Sequence, residues 1–163
     1  MTDKLKGFTE EYLQDVLVRL AHHSSAIEGN TISLADTVSI ILHNTVPGKT
    51  DLRELYEIAN HKGAFEYVIQ QVANNVPLTV GIIKDIHEQL MDRLLADRGQ
   101  FKKNENAILG ADFETASPYK TPLLMDQWVG NLNYQLSQSH SEEETLAVLG
   151  DFHIQFERIH PFS

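Results

Sequence analysis

Apolar residues recur at three- and four-residue intervals along nearly the whole chain, the spacing that lines one face of an α-helix. Leu13, Val16, Leu17, Leu20, Ala21 and Ile27 form a first such face, with Thr9 as N-cap, Glu10 and Glu11 at the positive end and Gly29-Asn30 as a stop. Ser33 with Asp36 opens a second helix ahead of Val38, Ile41 and Leu42, and Pro47-Gly48 breaks the chain after it. A long helix is expected from Asp51 to Ala73, with Leu52, Leu55, Tyr56, Ala59, Gly63 and Val72 inward. The next starts near Thr79, carries Ile83, Ile86, Leu90, Leu94 and Leu95, and ends at Gly99.

Between Gln100 and Thr121 the periodicity fades, and Gly110, Pro118 and Pro122 appear. Ala107 to Phe113 reads as a short hairpin inside a long connection of the kind that often carries function. Helical spacing returns with Leu124, Trp128 and Leu132. Ser141 with Glu144 forms a capping box for a last helix bearing Leu146, Leu149, Phe152, His153, Phe156 and Ile159, which Pro161 should end near Ile159 or His160. The fold class is therefore all-α, a single domain over 1–163 with one irregular, hairpin-bearing excursion.

With 163 residues there is enough chain for one sizeable core. Thirteen basic against twenty-three acidic residues give a net charge of −10, a field that repels nucleic-acid phosphates and anionic membrane surfaces while leaving room for a local basic pocket. The chain has no cysteine, which excludes disulfides and thiolate metal sites. The first thirty residues carry no continuous apolar core of a secretory signal, and no apolar run approaches the ~20 residues that span a bilayer. The cytoplasm is the default compartment. Among the histidines, His22 and His23 are adjacent and point about 100° apart on a helix, and neither they nor His87 and His153 show the i, i+4 spacing of paired metal ligands.

The sequence finishes Ile159-His160-Pro161-Phe162-Ser163 straight after a strongly apolar helix. Phe152, Phe156, Ile159 and Phe162 need something to pack against, either earlier helices in part or a further helix beyond the end, which leads to the expectation of a truncated chain. His160-Pro161-Phe162 resembles the start of the catalytic loop of the Fic-type nucleotidyltransferases. That pattern continues with a variable residue, Asp or Glu, Gly-Asn-Gly-Arg and a second Arg. The segment Phe152 to Ile159 looks like the helix leading into that loop. Ser24-Ser25-Ala26-Ile27-Glu28-Gly29 is similar to the family's inhibitory pattern of Ser or Thr, three residues, Glu, then Gly or Asn. Ala107-Ile108-Leu109-Gly110 to Pro122 falls where the family places a hairpin flap. Gly99-Gln100-Phe101-Lys102 resembles the Gly-x-x-Arg segment before it, with Lys for Arg.

The resemblance implies residues 1–30 as an N-terminal inhibitory helix and 31–163 as a Fic core. It implies a protein adenylyltransferase that moves AMP from ATP, with Mg²⁺, to a Ser, Thr or Tyr hydroxyl of a target protein. His160 would be the general base, since an imidazole with its ordinary pKa near ~6.5 suits that work at neutral pH; a lone histidine is otherwise a plain helix cap. Ser24, Glu28 and Gly29 would restrain the enzyme. Glu28 stands at a helix C-terminus, where a carboxylate is disfavoured by ~0.3–1 kcal/mol, and follows Ile27 on an apolar face, so it is expected beside a cation rather than in solvent, and the resemblance supplies one in the motif's second Arg, which falls after Ser163. Ser24 would brace the motif by hydrogen bonding. Ala107, Ile108, Leu109, Gly110, Ala111, Asp112 and Phe113 would dock a target strand by edge pairing, against the plainer reading of a surface hairpin. No metal ligand is expected in the residues present, because the Mg²⁺ and phosphate ligands of the pattern fall after Ser163; the 163 residues alone should then be inactive. Removal of AMP by the same site and a non-catalytic helical binding module remain alternatives. The target, the transferred group and the oligomeric state, a homodimer included, stay open.

Overall fold

A computed structural model of the chain describes Leu5, residues 7–108 and residues 110–162. Among them six helices follow in order: α1 (Glu10–Ile27), α2 (Leu34–His43), α3 (Leu52–Ala73), α4 (Val80–Leu90), α5 (Thr121–Gln138) and α6 (Glu142–Ile159). No strand occurs among the described residues, and the fold is all-α. None of these helices is long and apolar enough to cross a membrane.

The helix starts follow from local chemistry. Thr9 Oγ1 accepts from the Tyr12 N–H at 3.2 Å, Ser33 Oγ from Asp36 at 3.1 Å, Asp51 Oδ1 from Arg53 and Glu54 at 2.8 and 3.2 Å, and Ser141 Oγ from Glu144 at 3.1 Å. Each satisfies an orphan donor of a first turn, a contribution of about 1 kcal/mol. The Glu144 carboxylate reaches back to the His140 N–H at 2.7 Å, one residue earlier than in a standard capping box.

The chain divides into two compact units, one holding the chain up to Val76 together with Asp85–Gly99, the other Pro77–Lys84 and everything from Gln100. In the first, Leu17, Val18 and Ala21 of α1 meet Ile40 and Ile41 of α2 and Ile58 of α3 around Ile32. The buried stripe of α1 is Leu17, Val18, Ala21 and Ser25; Leu20 and Ile27 are 48% and 85% exposed. The inward face is thus rotated from the one the spacing suggests, because α2 and α3 both pack on α1 and draw Val18 and Ser25 inside. On α3 the deepest residues are Ile58 and Ala64, whereas Leu52 and Gly63 are exposed. α4 stops at Leu90 rather than running to Gly99. Asn60 Nδ2, from α3, donates to the carbonyls of Leu90 and Asp92 at 2.9 and 2.8 Å, capturing groups that a continuing helix would use. Arg93 then turns left-handed (φ 63°), with its guanidinium over the Tyr56 ring at 5.1 Å and Nη1 donating to the Tyr56 hydroxyl at 3.0 Å.

In the second unit Ile83, Met125, Val129 and Ile159 form a core, edged by Phe101, Leu124, Trp128, Phe156 and Phe162. Trp128 lies against Phe152 and Phe156 at 5.8 and 5.2 Å between ring centres and donates Nε1–H to the Phe152 carbonyl at 2.9 Å. Leu146 and Leu149 of α6 are exposed, unlike Phe152 and Ile159. The hairpin expected at 107–113 is not a strand pair among the described residues. The segment is irregular, with a turn in which the Ala111 N–H donates to the Ile108 carbonyl at 3.1 Å and Gly110 is left-handed (φ 83°). Leu109 lies outside the described residues. A lone two-stranded ribbon is marginal in water, and here the Thr115 hydroxyl takes the Asn106 carbonyl at 2.7 Å, an acceptor that a cross-strand N–H would otherwise use.

Met125 is fully buried, so Met125→Ala should cost about 2–5 kcal/mol in urea unfolding. His61 and His87 give an acid dependence. Burial pushes both imidazoles down from their ordinary value, opposed by the Glu57 carbonyl at His61 and by Asp97 at His87. A lowered folded pKa means that the unfolded chain takes up these protons first. Stability present at neutral pH should therefore be lost as pH falls from ~6.5 towards the folded values. Urea midpoints at several pH values should show that loss, with a shallower slope in a His61→Gln, His87→Gln double variant.

Candidate active site

α6 must stop before Pro161, which has no N–H to offer and disfavours helical geometry in the residue before it. His160 takes the left-handed conformation (φ 45°, ψ 65°), and its N–H donates to the Phe156 carbonyl at 2.8 Å. For a non-glycine residue that conformation costs roughly 1–2 kcal/mol and needs outside support. The support comes from two residues of the irregular segment. The carbonyl of Ile159 accepts from Lys102 Nζ at 3.1 Å and that of His160 from Asn106 Nδ2 at 3.3 Å. The carbonyl of Pro161 accepts from the Lys102 N–H at 2.8 Å and that of Phe162 from Asn106 Nδ2 at 2.7 Å. Four successive carbonyls are thus held. Leaving any one buried and unmade would cost ~1–3 kcal/mol.

Lys102 is only 3% exposed. Besides Ile159 its ammonium donates to Asn106 Oδ1 at 2.6 Å and Thr115 Oγ1 at 3.2 Å. Burial pushes its pKa down, against the nearby charge of Glu105. On the apolar side the Phe162 ring tilts onto Phe101 at 5.7 Å, and Lys84 Nζ sits 4.2 Å from the centre of the Phe101 ring. The Ala116 N–H donates to the Arg158 carbonyl at 3.0 Å. His160 is half-buried and Pro161 buried. Lys102 stood out in the sequence only as a Lys where the resemblance has Arg. Asn106 and Thr115 carried no local pattern that marks them, since their partners lie over fifty residues away in the case of Asn106.

The other sequence-derived group sits in the first unit. α1 ends in a Schellman turn: the Gly29 N–H donates to the Ala26 carbonyl at 3.1 Å and the Asn30 N–H to Ser25 at 3.0 Å, with Gly29 at φ 94°. Glycine fits that position because a Cβ would be strained there. Glu28 is the C-cap and is exposed, and it pairs with no cation among the described residues. Ile27 beside it is exposed too, and the apolar groups near Glu28 are Leu90, Met91 and Leu94 rather than its own helix face. Ser24 and Glu28 line a concavity of about 230 Å³ with Ser25, Glu57, His61 and Met91 among its walls. The hydroxyl that reaches across is that of Ser25, 3.5 Å from the Glu57 carbonyl. Asn30, read from the sequence only as part of a stop, fixes the turn. Its Nδ2 donates to the Glu54 carbonyl at 3.0 Å and to Glu57 Oε2 at 2.9 Å, and its Oδ1 accepts from the Ile32 N–H at 3.0 Å.

Ala107, Ile108, Gly110, Ala111, Asp112 and Phe113 are exposed or half-buried. They present no strand edge for pairing, and Phe113 lies under the Arg158 guanidinium at 5.5 Å. Among the described residues no three His, Cys, Asp or Glu side chains converge to hold a metal ion.

Comparison with known proteins gives these positions a context. The Fic/DOC family model matches residues 77–163, more than half of the chain. The protein adenylyltransferase Fic of Drosophila willistoni is 28% identical over 155 residues, 94% of this chain and 29% of that protein. The chain therefore spans under a third of the length of that curated relative. A Fic domain containing signaling protein from Bacteroides thetaiotaomicron superposes with a TM-score of 0.82 at 23% identity, over 98% of this chain and 62% of the other. A Fic family protein from Desulfovibrio desulfuricans gives 0.76 at 23% identity, over 98% and 46%. At such identities the likeness to these two structures is one of fold.

The two residues at the end of α1 should separate cleanly in stability. Asn30→Ala removes three side-chain hydrogen bonds and should cost about 1–3 kcal/mol in urea unfolding. Glu28→Gly touches an exposed side chain and should stay within about 0.5 kcal/mol of the parent. A marked loss in the Glu28 variant would contradict this account of the turn.

Proposed function

The chain belongs to the Fic/DOC family, and on that footing we propose that it carries part of the machinery of a protein adenylyltransferase that moves AMP from ATP to a Ser, Thr or Tyr hydroxyl of another protein. The observation that carries the reading is the placement of His160, a potential proton acceptor at the end of α6 whose backbone is held on both sides by Lys102 and Asn106. The names of the curated relatives support the same activity.

In this proposal the attacking hydroxyl oxygen forms a bond to the α-phosphorus, the bond to the bridging oxygen of the β-phosphate breaks, and pyrophosphate leaves. The His160 imidazole accepts the hydroxyl proton, a role that typically contributes about 10²–10⁴ in rate. The divalent ion that accompanies ATP would supply charge neutralisation on the phosphates. The described residues do not assemble a ligand set for it, so the roles assigned to this chain are those of its own side chains. Ser24, Glu28 and Gly29 are proposed as the restraining element. The exposed Glu28 carboxylate lines the same concavity as Glu57, whose two oxygens already accept from Arg53 and Asn30, which leaves Glu28 as the carboxylate there to hold a cationic side chain that transfer would otherwise use.

Protein expressed from the complete reading frame and incubated with Mg²⁺ and ATP labelled at the α-phosphate should become labelled on protein. His160→Ala should lower that rate by about 10²–10⁴, and Glu28→Gly should raise it. Labelling by His160→Ala at the parent rate would remove His160 from the mechanism, and an unchanged rate in Glu28→Gly would remove the restraint.

A further inference from the structure

We propose that Lys102, Asn106 and Thr115 form a positioning device that sets the backbone, and so the ring direction, of His160. The inference rests on His160 being the base of the proposed reaction. An ammonium has three N–H donors, and Lys102 Nζ meets three acceptors: Asn106 Oδ1, Thr115 Oγ1 and the Ile159 carbonyl. The Asn106 amide has two N–H donors, and they go to the carbonyls of His160 and Phe162. The single Thr115 hydroxyl hydrogen is directed at Asn106, whose carbonyl lies at 2.7 Å and whose Oδ1 lies at 2.9 Å. Every side-chain donor therefore has an acceptor, and a satisfied network around the buried ammonium favours one geometry.

Every acceptor in this device is neutral, so it is not an ion pair placed for charge balance. Its outputs are the carbonyls on either side of the His160 α-carbon and the next two along. A left-handed residue followed by proline has few other ways to be held. A base must also lie within hydrogen-bond reach of the proton that it abstracts, which makes the backbone angles of His160 a functional quantity. Lys102 and Asn106 touch the loop backbone alone in this scheme, so they are positioning residues rather than catalytic ones.

The test uses the 163-residue chain itself, isotopically labelled, without nucleotide. In Lys102→Met the amides of Lys102 and His160 should exchange with solvent about tenfold faster, and the His160 ring resonances should move. Amides of α1, α2 and α3 should keep their parent rates. Lys102→Arg, which keeps the charge and several donors, should recover part of the protection. A folded Lys102→Met chain with parent exchange rates and an unmoved His160 ring would overturn the proposal, as would an Arg variant as loose as the Met variant, since packing alone would then explain the site. If Lys102→Met does not fold, Thr115→Val carries the same measurement, and parent protection there overturns it. No nucleotide enters this experiment, so its failure leaves the transferase reading standing, while absent label transfer with an intact clamp counts against that reading alone.

Discussion

A helix that runs into proline must end, and its end leaves carbonyls without intrahelical partners; in this chain they lie around His160, the base of the proposed reaction. Ile159, His160, Pro161 and Phe162 each need a donor, and a buried ammonium, one amide side chain and one backbone N–H supply all four. Burying Lys102 has a desolvation cost that lowers its pKa. The cost is tolerable because all three of its donors are used. The irregular course from Gln100 to Thr115 then has a physical purpose: it threads Lys102 and Asn106 past the end of α6, which neither a regular helix nor a strand pair at these positions would do.

The parts of the fold legible in the sequence are those decided within one turn of chain. Thr9, Ser33, Asp51 and Ser141 cap helices because the acceptor and the donor lie two or three residues apart. Pro161 ends α6 for an equally local reason. What misled was decided at longer range. α4 looked able to continue to Gly99, since Leu94 and Leu95 keep its spacing, but Asn60, thirty residues earlier, takes the Leu90 carbonyl. The Gly99 N–H is in turn claimed by His87 Nδ1 at 3.0 Å. Likewise Ile27 fits an apolar stripe by spacing and yet is exposed, because α2 and α3 bury another arc of α1.

The candidate site divides in the same way. His160, Glu28 and Gly29 could be named from short patterns, and the structure adds a mechanical reason for one of them: Gly29 closes a Schellman turn. Lys102 was visible only as an odd residue in a familiar segment. Asn106, Thr115 and Asn30 were not visible as site residues, because an asparagine's partners across the fold leave no trace in its neighbours along the chain.

Asparagine recurs at these places for a chemical reason. Its amide donates twice and accepts once or more, so one side chain can replace several backbone partners that a terminating helix has lost. Asn60 does so at the end of α4 and Asn106 at the turn after α6, whereas Asn30 ties the turn after α1 to Glu54 and Glu57 of α3. The side chains next to those turns are treated differently. At the end of α1 the Schellman turn fixes the backbone while the Glu28 carboxylate stays in solvent. At the end of α6 the four carbonyls from Ile159 to Phe162 are all held, and His160 is half-buried. An exposed carboxylate at one helix end and a clamped histidine at the other thus follow from how each turn is satisfied, by backbone donors after α1 and by side-chain donors as well after α6.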